Sequence, residues 1–403
     1  MVQIVKNNHF EKKIVLRIYM YLLALIIIDP LFNKFILNTT ILRSLELVCM
    51  FLIVKSELQL YIGKKVILYN GFLKFLLFAL LLITLGIILR GEWDDLSVKD
   101  FVLKVIGDTK IWILPFLILP LPNFKYYKEI LQLFYKASLF VIPIWILNSN
   151  LLVQLDTYKG EHIGVYLPFL SAFLLGFLPL FRKKEKYFVV SIWAIYFMLM
   201  LLNARRNVSL SLALYAFIAY IFSILHNIKR RPAKYLFICV FTLISFLFLQ
   251  LNVDRLAANT FSNIAHRGIE DSRSQVEILF FWDFSHSPTT DWIYGRGMDG
   301  GYAQAVTNEE TGETTYNRKI IETGYLNMML KGGIIYDLVI LLLIITSLKG
   351  VFKKNNPVYV KYSGVILATY FLDMYTTNPI CDFTTRSMLF WFLISFLLQF
   401  KKV

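Results

Sequence analysis

Charge is scarce in this chain. Only 17% of its 403 residues are Asp, Glu, Lys or Arg, and 57% are hydrophobic. Soluble domains carry about 25% charged and about 45–50% apolar residues, so a water-soluble globular class is excluded. Acidic residues are the scarcer sign, 27 against 42 basic, for a net charge of +15. That excess does not mark a nucleic-acid binder, because it sits in short clusters between apolar runs, as the positive-inside rule produces.

Cysteine is nearly absent. Cys49, Cys239 and Cys381 are far apart, with no CxxC or metal-ligand spacing, so core packing is the reading. The five histidines do not cluster and HExxH is missing. GRGMDGG at 295–301 lacks the GxxxxGK[ST] pattern of a phosphate loop, and its glycines point to a tight backbone path. No metal and no cofactor is expected. The basic N-terminus leads into an apolar run without a small-residue cleavage site, and is expected to be an uncleaved first helix. No repeat of roughly 20–50 residues and no inverted hydropathy symmetry is visible.

Long apolar runs are abundant. Barrel strands would alternate over about ten residues, whereas these runs approach the 20 or so that span a bilayer as a helix. The expected class is therefore all-α, a polytopic integral membrane protein with about 12 transmembrane helices. The expected cores are 14–30, 36–54, 71–89, 102–120, 129–147, 163–181, 187–203, 207–226, 235–252, 325–348, 362–379 and 387–400. The second carries Arg43 and Glu46, the fourth Asp108 and Lys110, and either could be partly interfacial. With the N-terminus inside, RKKEK at 182–186, KRRPAK at 229–234 and KGVFKK at 349–354 are cytoplasmic, while GEWDDLSVKD at 91–100 is outside. Three regions follow: helices one to nine in 1–252, a large outer loop in 253–324, and helices ten to twelve in 325–403.

In this topology NARRN at 203–207 is the outer tip of a tight helical hairpin. Arg205 and Arg206 break the positive-inside trend there, with no carboxylate nearby in sequence. Arginine stays charged and binds phosphate oxygens in pairs, so the expected role is an anion site facing a cavity, against snorkelling to headgroups. SRSQVEILFFWDF at 272–284 has an amphipathic pattern that would dock through Gln275, Phe280 and Phe281 and aim Arg273 inward. Glu322 precedes the tenth span, as a general base, an arginine partner, or a carboxylate favoured by the helix dipole. Gly332 and Gly333 lie inside that span, where small residues allow close helix approach.

The ordered set resembles a family. NARRNVSLSLAL is similar to the arginine-tipped turn of bacterial O-antigen polymerases and ligases. EDSRSQVEILFFWDF followed by YGRGMDGGY is similar to that family's arginine-then-GxG segment. IETGYLNMMLKGG is similar to its HNxxLxxxxxxG helix entry. The likeness covers roughly residues 185–350; the N-terminal half matches only as a set of spans.

The resemblance implies a metal-independent glycosyltransferase of the bacterial cytoplasmic membrane, with both termini cytoplasmic. It would act at the outer face on a glycan carried by undecaprenyl diphosphate. A polymerase passes the growing glycan to the next lipid-linked repeat unit; a ligase passes the finished glycan to lipid A–core. Aligning Gly333 with the motif's final Gly puts Glu322 where ligases have His and Thr323 where they have Asn, which favours the polymerase. By this likeness Arg206, Arg273 and Glu322 are catalytic. Arg205, Arg296 and Arg318, with Tyr302 and Tyr325, contact substrate. Membrane lipid is a partner, and a chain-length regulator and a flippase are expected to work beside the protein. A transporter or flippase of the same lipid-linked oligosaccharide is the alternative of another class.

Overall fold

The computed structural model describes residues 2–32, 39–62, 71–94, 96–121, 126–147, 168–202, 206–226, 272–307, 314–321, 323–349, 351–353, 356–374, 380–381 and 383–400. The chain is mostly helical. In order the helices are α1 (Val2–Phe32), α2 (Thr39–Ile62), α3 (Gly71–Leu89), α4 (Val98–Gly107), α5 (Lys110–Ile118) and α6 (Tyr127–Leu147). There follow α7 (Pro168–Leu174, continued by a 3₁₀ stretch, Leu175–Leu180), α8 (Lys183–Leu202) and α9 (Arg206–His226). The last are α10 (Ser272–Ser285), α11 (Thr289–Tyr294), α12 (Gly324–Leu348), α13 (Val358–Asp373) and α14 (Thr385–Phe400).

The core is built around the last of these. From Met388 to Leu398 every α14 residue is at most 2% exposed, as expected of a helix that is apolar all round. Phe392 takes edge-on contacts from Tyr19 of α1, Phe134 of α6 and Phe173 of α7. α3 lies at the periphery, with Phe75, Phe78, Leu82, Leu85 and Leu89 turned outward. α3 and α12 are long and apolar enough to cross a membrane.

Several expected elements take a different form. The run 102–120 is two helices, α4 and α5, parted at Asp108 and Thr109. The polar residues that marked 36–54 and 102–120 are partners: Glu46, fully buried, binds Lys110 at 2.6 Å and Arg43 at 2.5 Å. The mostly helical chain agrees with the all-α expectation, to which the segment before α12 adds one ribbon, in which β1 (Tyr302–Thr307) pairs antiparallel with β2 (Thr314–Arg318). β-branched threonines and alternating polar residues suit such a half-exposed ribbon. The expected ninth span, 235–252, lies outside the described residues.

Candidate functional site

α12 is broken. A straight helix of 25 residues would be about 37 Å long. Gly333, at φ +71° and ψ −177°, turns the chain instead, in a region that essentially only glycine occupies. So Gly332–Gly333, expected to ease helix packing, make a bend. A break leaves backbone carbonyls without helical partners, and burying these unpaired is costly.

The glycine-rich segment supplies the missing donors. The N–H of Arg296 donates to the Leu330 carbonyl at 2.7 Å, and that of Gly297 to the Lys331 carbonyl at 3.0 Å. Lys331 answers from the helix: its Nζ donates to the carbonyls of Met298 and Gly300 at 2.9 and 2.8 Å. Met298 ties the same segment to α3 through the Ile87 carbonyl, 2.9 Å away. Gly295 and Gly297 also take positive φ. A Cβ on Gly295 would strike the backbone of residues 331–333, and one on Gly297 that of Arg90. The tight backbone path read from GRGMDGG is thus a plug in a helix break.

Asp299 anchors the plug to the loop after α3. It binds Lys104 at 2.7 Å, accepts the Glu92 N–H at 2.9 Å and lies 3.9 Å from Lys319. Burial pushes its carboxyl up, but the Lys104 and Glu92 hydrogen bonds and the charges of Lys104 and Lys319 outweigh this and hold it below the usual range.

The second half of the site lies where α9 begins, α12 begins, α13 ends and α14 begins. Arg386, at the start of α14, is 7% exposed; it pairs with Asp373 at the end of α13 and lies 4.3 Å from the Phe169 ring. Ser211 of α9 is 3.4 Å from Asp373. The Gly324 N–H opening α12 donates to the Met374 carbonyl at 2.7 Å. The Thr323 hydroxyl donates to Glu277 of α10 at 2.7 Å. These contacts link four helices and the α10 strap at one end of the bundle.

No family model matches this chain, and no curated protein or solved structure matches it either.

Two of the three expected catalytic residues, Arg206 and Arg273, fall on elements that meet here. Arg206 is the first residue of α9, about 7.5 Å of helix before Ser211. Arg273 is in the first turn of α10, about one turn before Glu277. Glu322, beside Thr323, and Arg205 lie outside the described residues. Tyr325 is at this end too, with its hydroxyl on the Phe371 carbonyl and its ring 5.5 Å from that of Phe371.

The other expected substrate contacts have partners within the protein. Arg296 binds Asp283 at 2.5 Å, Asp291 at 2.9 Å, the Gly301 carbonyl at 2.5 Å and the Ser287 hydroxyl. Two of these four partners are carboxylates, which offset its charge. Tyr302 is 1% exposed, packed edge-on against Phe280, with its hydroxyl on Gln304. Arg318 donates to the Ile320 carbonyl at 3.0 Å and to Gln304 at 3.3 Å, bracing the ribbon. On α10, Phe280 and Phe284 are the buried anchors, whereas Phe281, expected to dock, is 46% exposed. Arg386 and Asp373 went unnoticed in the sequence. The signal available was two opposite charges flanking the gap between the last two apolar runs.

Proposed function

We propose that the protein is a polytopic membrane glycosyltransferase that polymerises lipid-linked repeat units. It transfers a growing glycan from undecaprenyl diphosphate to the next lipid-linked unit at the outer face of the bacterial cytoplasmic membrane. About twelve spans, each near the 20 residues a bilayer needs, carry it. The outward apolar faces of α3 and α12 support a lipid surround, since large contiguous apolar patches are uncommon on soluble proteins.

One observation carries the reading. The elements bearing Arg206 and Arg273 and the start of α12, separated widely in sequence, are linked at one end of the bundle through Ser211–Asp373, Gly324–Met374 and Thr323–Glu277, which supports the reading. A lipid diphosphate presents its charge at the membrane surface, so its site belongs at a bundle end. Arginines there stabilise the negative charge that grows on the departing diphosphate as the glycosidic bond breaks. The acceptor hydroxyl bonds to the anomeric carbon, and its proton passes to a base, for which Glu322 is the candidate.

The test is direct. Purified protein in vesicles receives a lipid-linked repeat unit and no nucleotide. A glycan ladder with release of undecaprenyl diphosphate supports the polymerase. Reaction only with lipid A–core means a ligase, and translocation without ladder growth means a transporter.

A further inference from the structure

α3 carries an outward stripe, Phe78, Leu82, Leu85 and Leu89, at four- and three-residue spacing, exposed by 58, 54, 45 and 75%. That spacing is one face of one helix. The stripe ends at an open groove of about 680 Å³ lined by Gly86, Arg90, Thr290, Asp291, Tyr294 and Arg296. A long apolar track running into a polar groove is the shape of an amphiphile with a chain and a large head.

The groove's charge is uneven. Arg296 is held by two carboxylates, one of them the groove's Asp291. Arg90 has no carboxylate within ion-pair distance among the described residues. It donates to the carbonyls of Gly86 at 3.1 Å, Gly295 at 2.6 Å and Tyr294. A guanidinium has five N–H donors, so two remain, on a side chain that lines the groove. Thr290 and the half-exposed Tyr294 add a hydroxyl and an aromatic face.

We propose that this groove binds the second lipid-diphosphate substrate, the acceptor, with its isoprenoid along the α3 stripe and its diphosphate at Arg90. The inference rests on the proposed polymerase, which consumes two lipid diphosphates per transfer. The groove and the Arg206–Arg273 end are joined by the half-helix Gly324–Gly332. Nine residues at about 1.5 Å each separate them by about 13 Å along it, a span the acceptor's own sugars can bridge. A phospholipid shares the chain and the phosphate but has no sugar to meet Thr290, Asp291 and Tyr294.

Photocrosslinking tests this. A benzophenone amino acid replaces Tyr294 in the full chain, reconstituted in phosphatidylcholine vesicles containing undecaprenyl diphosphate that carries its sugar repeat unit as the probe. The expected result is a lipid adduct that persists under excess phosphatidylglycerol. Arg90→Gln cuts it by about tenfold, Arg90→Lys keeps most of it, and both variants elute as folded protein in detergent. The adduct also survives Arg206→Ala. No adduct, displacement by phosphatidylglycerol, or indifference to Arg90→Gln in folded protein overturns the proposal. Ladder growth by the unmodified protein is measured in parallel. A ladder without an adduct rejects the groove alone, and an adduct without a ladder rejects the polymerase alone.

Discussion

The backbone N–H of Arg296 lies 2.7 Å from the carbonyl of Leu330 and completes a helix that Gly333 has interrupted. The bend and the plug are one unit. The helix provides carbonyls, and the glycine segment provides N–H groups that fit only because Gly295 and Gly297 lack side chains. Irregular backbone inside a bilayer persists only where protein satisfies it.

Gly333→Ala tests the bend. The new Cβ would overlap the Ile293 carbonyl oxygen, and the φ/ψ region itself costs about 1–3 kcal/mol for a residue with a side chain. The thermal midpoint in detergent falls. Gly71→Ala, with nothing within 4 Å of its Cβ, leaves it in place.

Lys331→Met tests the plug. It strips the donor from the Met298 and Gly300 carbonyls, at about 1–3 kcal/mol for each buried group left unpaired. Trypsin then cuts after Arg296 faster than in the wild type, as followed by mass spectrometry. An unchanged cleavage rate would show that Lys331 does not hold the segment.

Asp299 gives the plug a pH dependence. Its carboxyl is depressed in the folded protein, so the unfolded chain binds the proton more tightly. The stabilisation is therefore present above the unfolded value of about 3.9 and is lost as pH falls through the lower folded value. Asp299→Asn lowers stability at neutral pH and flattens the acid limb of a midpoint-against-pH curve.

Glu46 sits between Lys110 and Arg43, and its loss takes the carboxylate away from a buried cation. Breaking a buried pair from one side costs about 3–5 kcal/mol. Glu46→Leu lowers the yield of folded protein, and adding Lys110→Leu restores part of it. A double variant as poor as the single one would show that the cost is steric.

These residues also show what the sequence could express. The run 71–89 is apolar but for Lys74 and Thr84, and α3 spans Gly71–Leu89. The period in SRSQVEILFFWDF marked α10, though not which phenylalanines face in, because Phe280, Phe281 and Phe284 are alike in hydrophobicity. The bend at Gly333 was hidden, since two glycines in an apolar helix serve close packing equally well. The internal partners of Arg296 and Tyr302 were hidden because a charge or a ring in a polar loop shows no sign of the carboxylates or phenylalanine that fold back upon it. The Asp373–Arg386 pair exists only once α13 and α14 are laid side by side.

The central claim is that the ends of α9, α10 and α12 form one site for a lipid diphosphate. The most direct measurement is ladder growth from a lipid-linked repeat unit in vesicles containing wild type, Arg206→Ala, Arg273→Ala or Glu322→Gln, each at equal inserted amount. Loss of the ladder in both arginine variants, with a slowed rate in Glu322→Gln, is the predicted result. Normal polymerisation by both arginine variants would contradict the account.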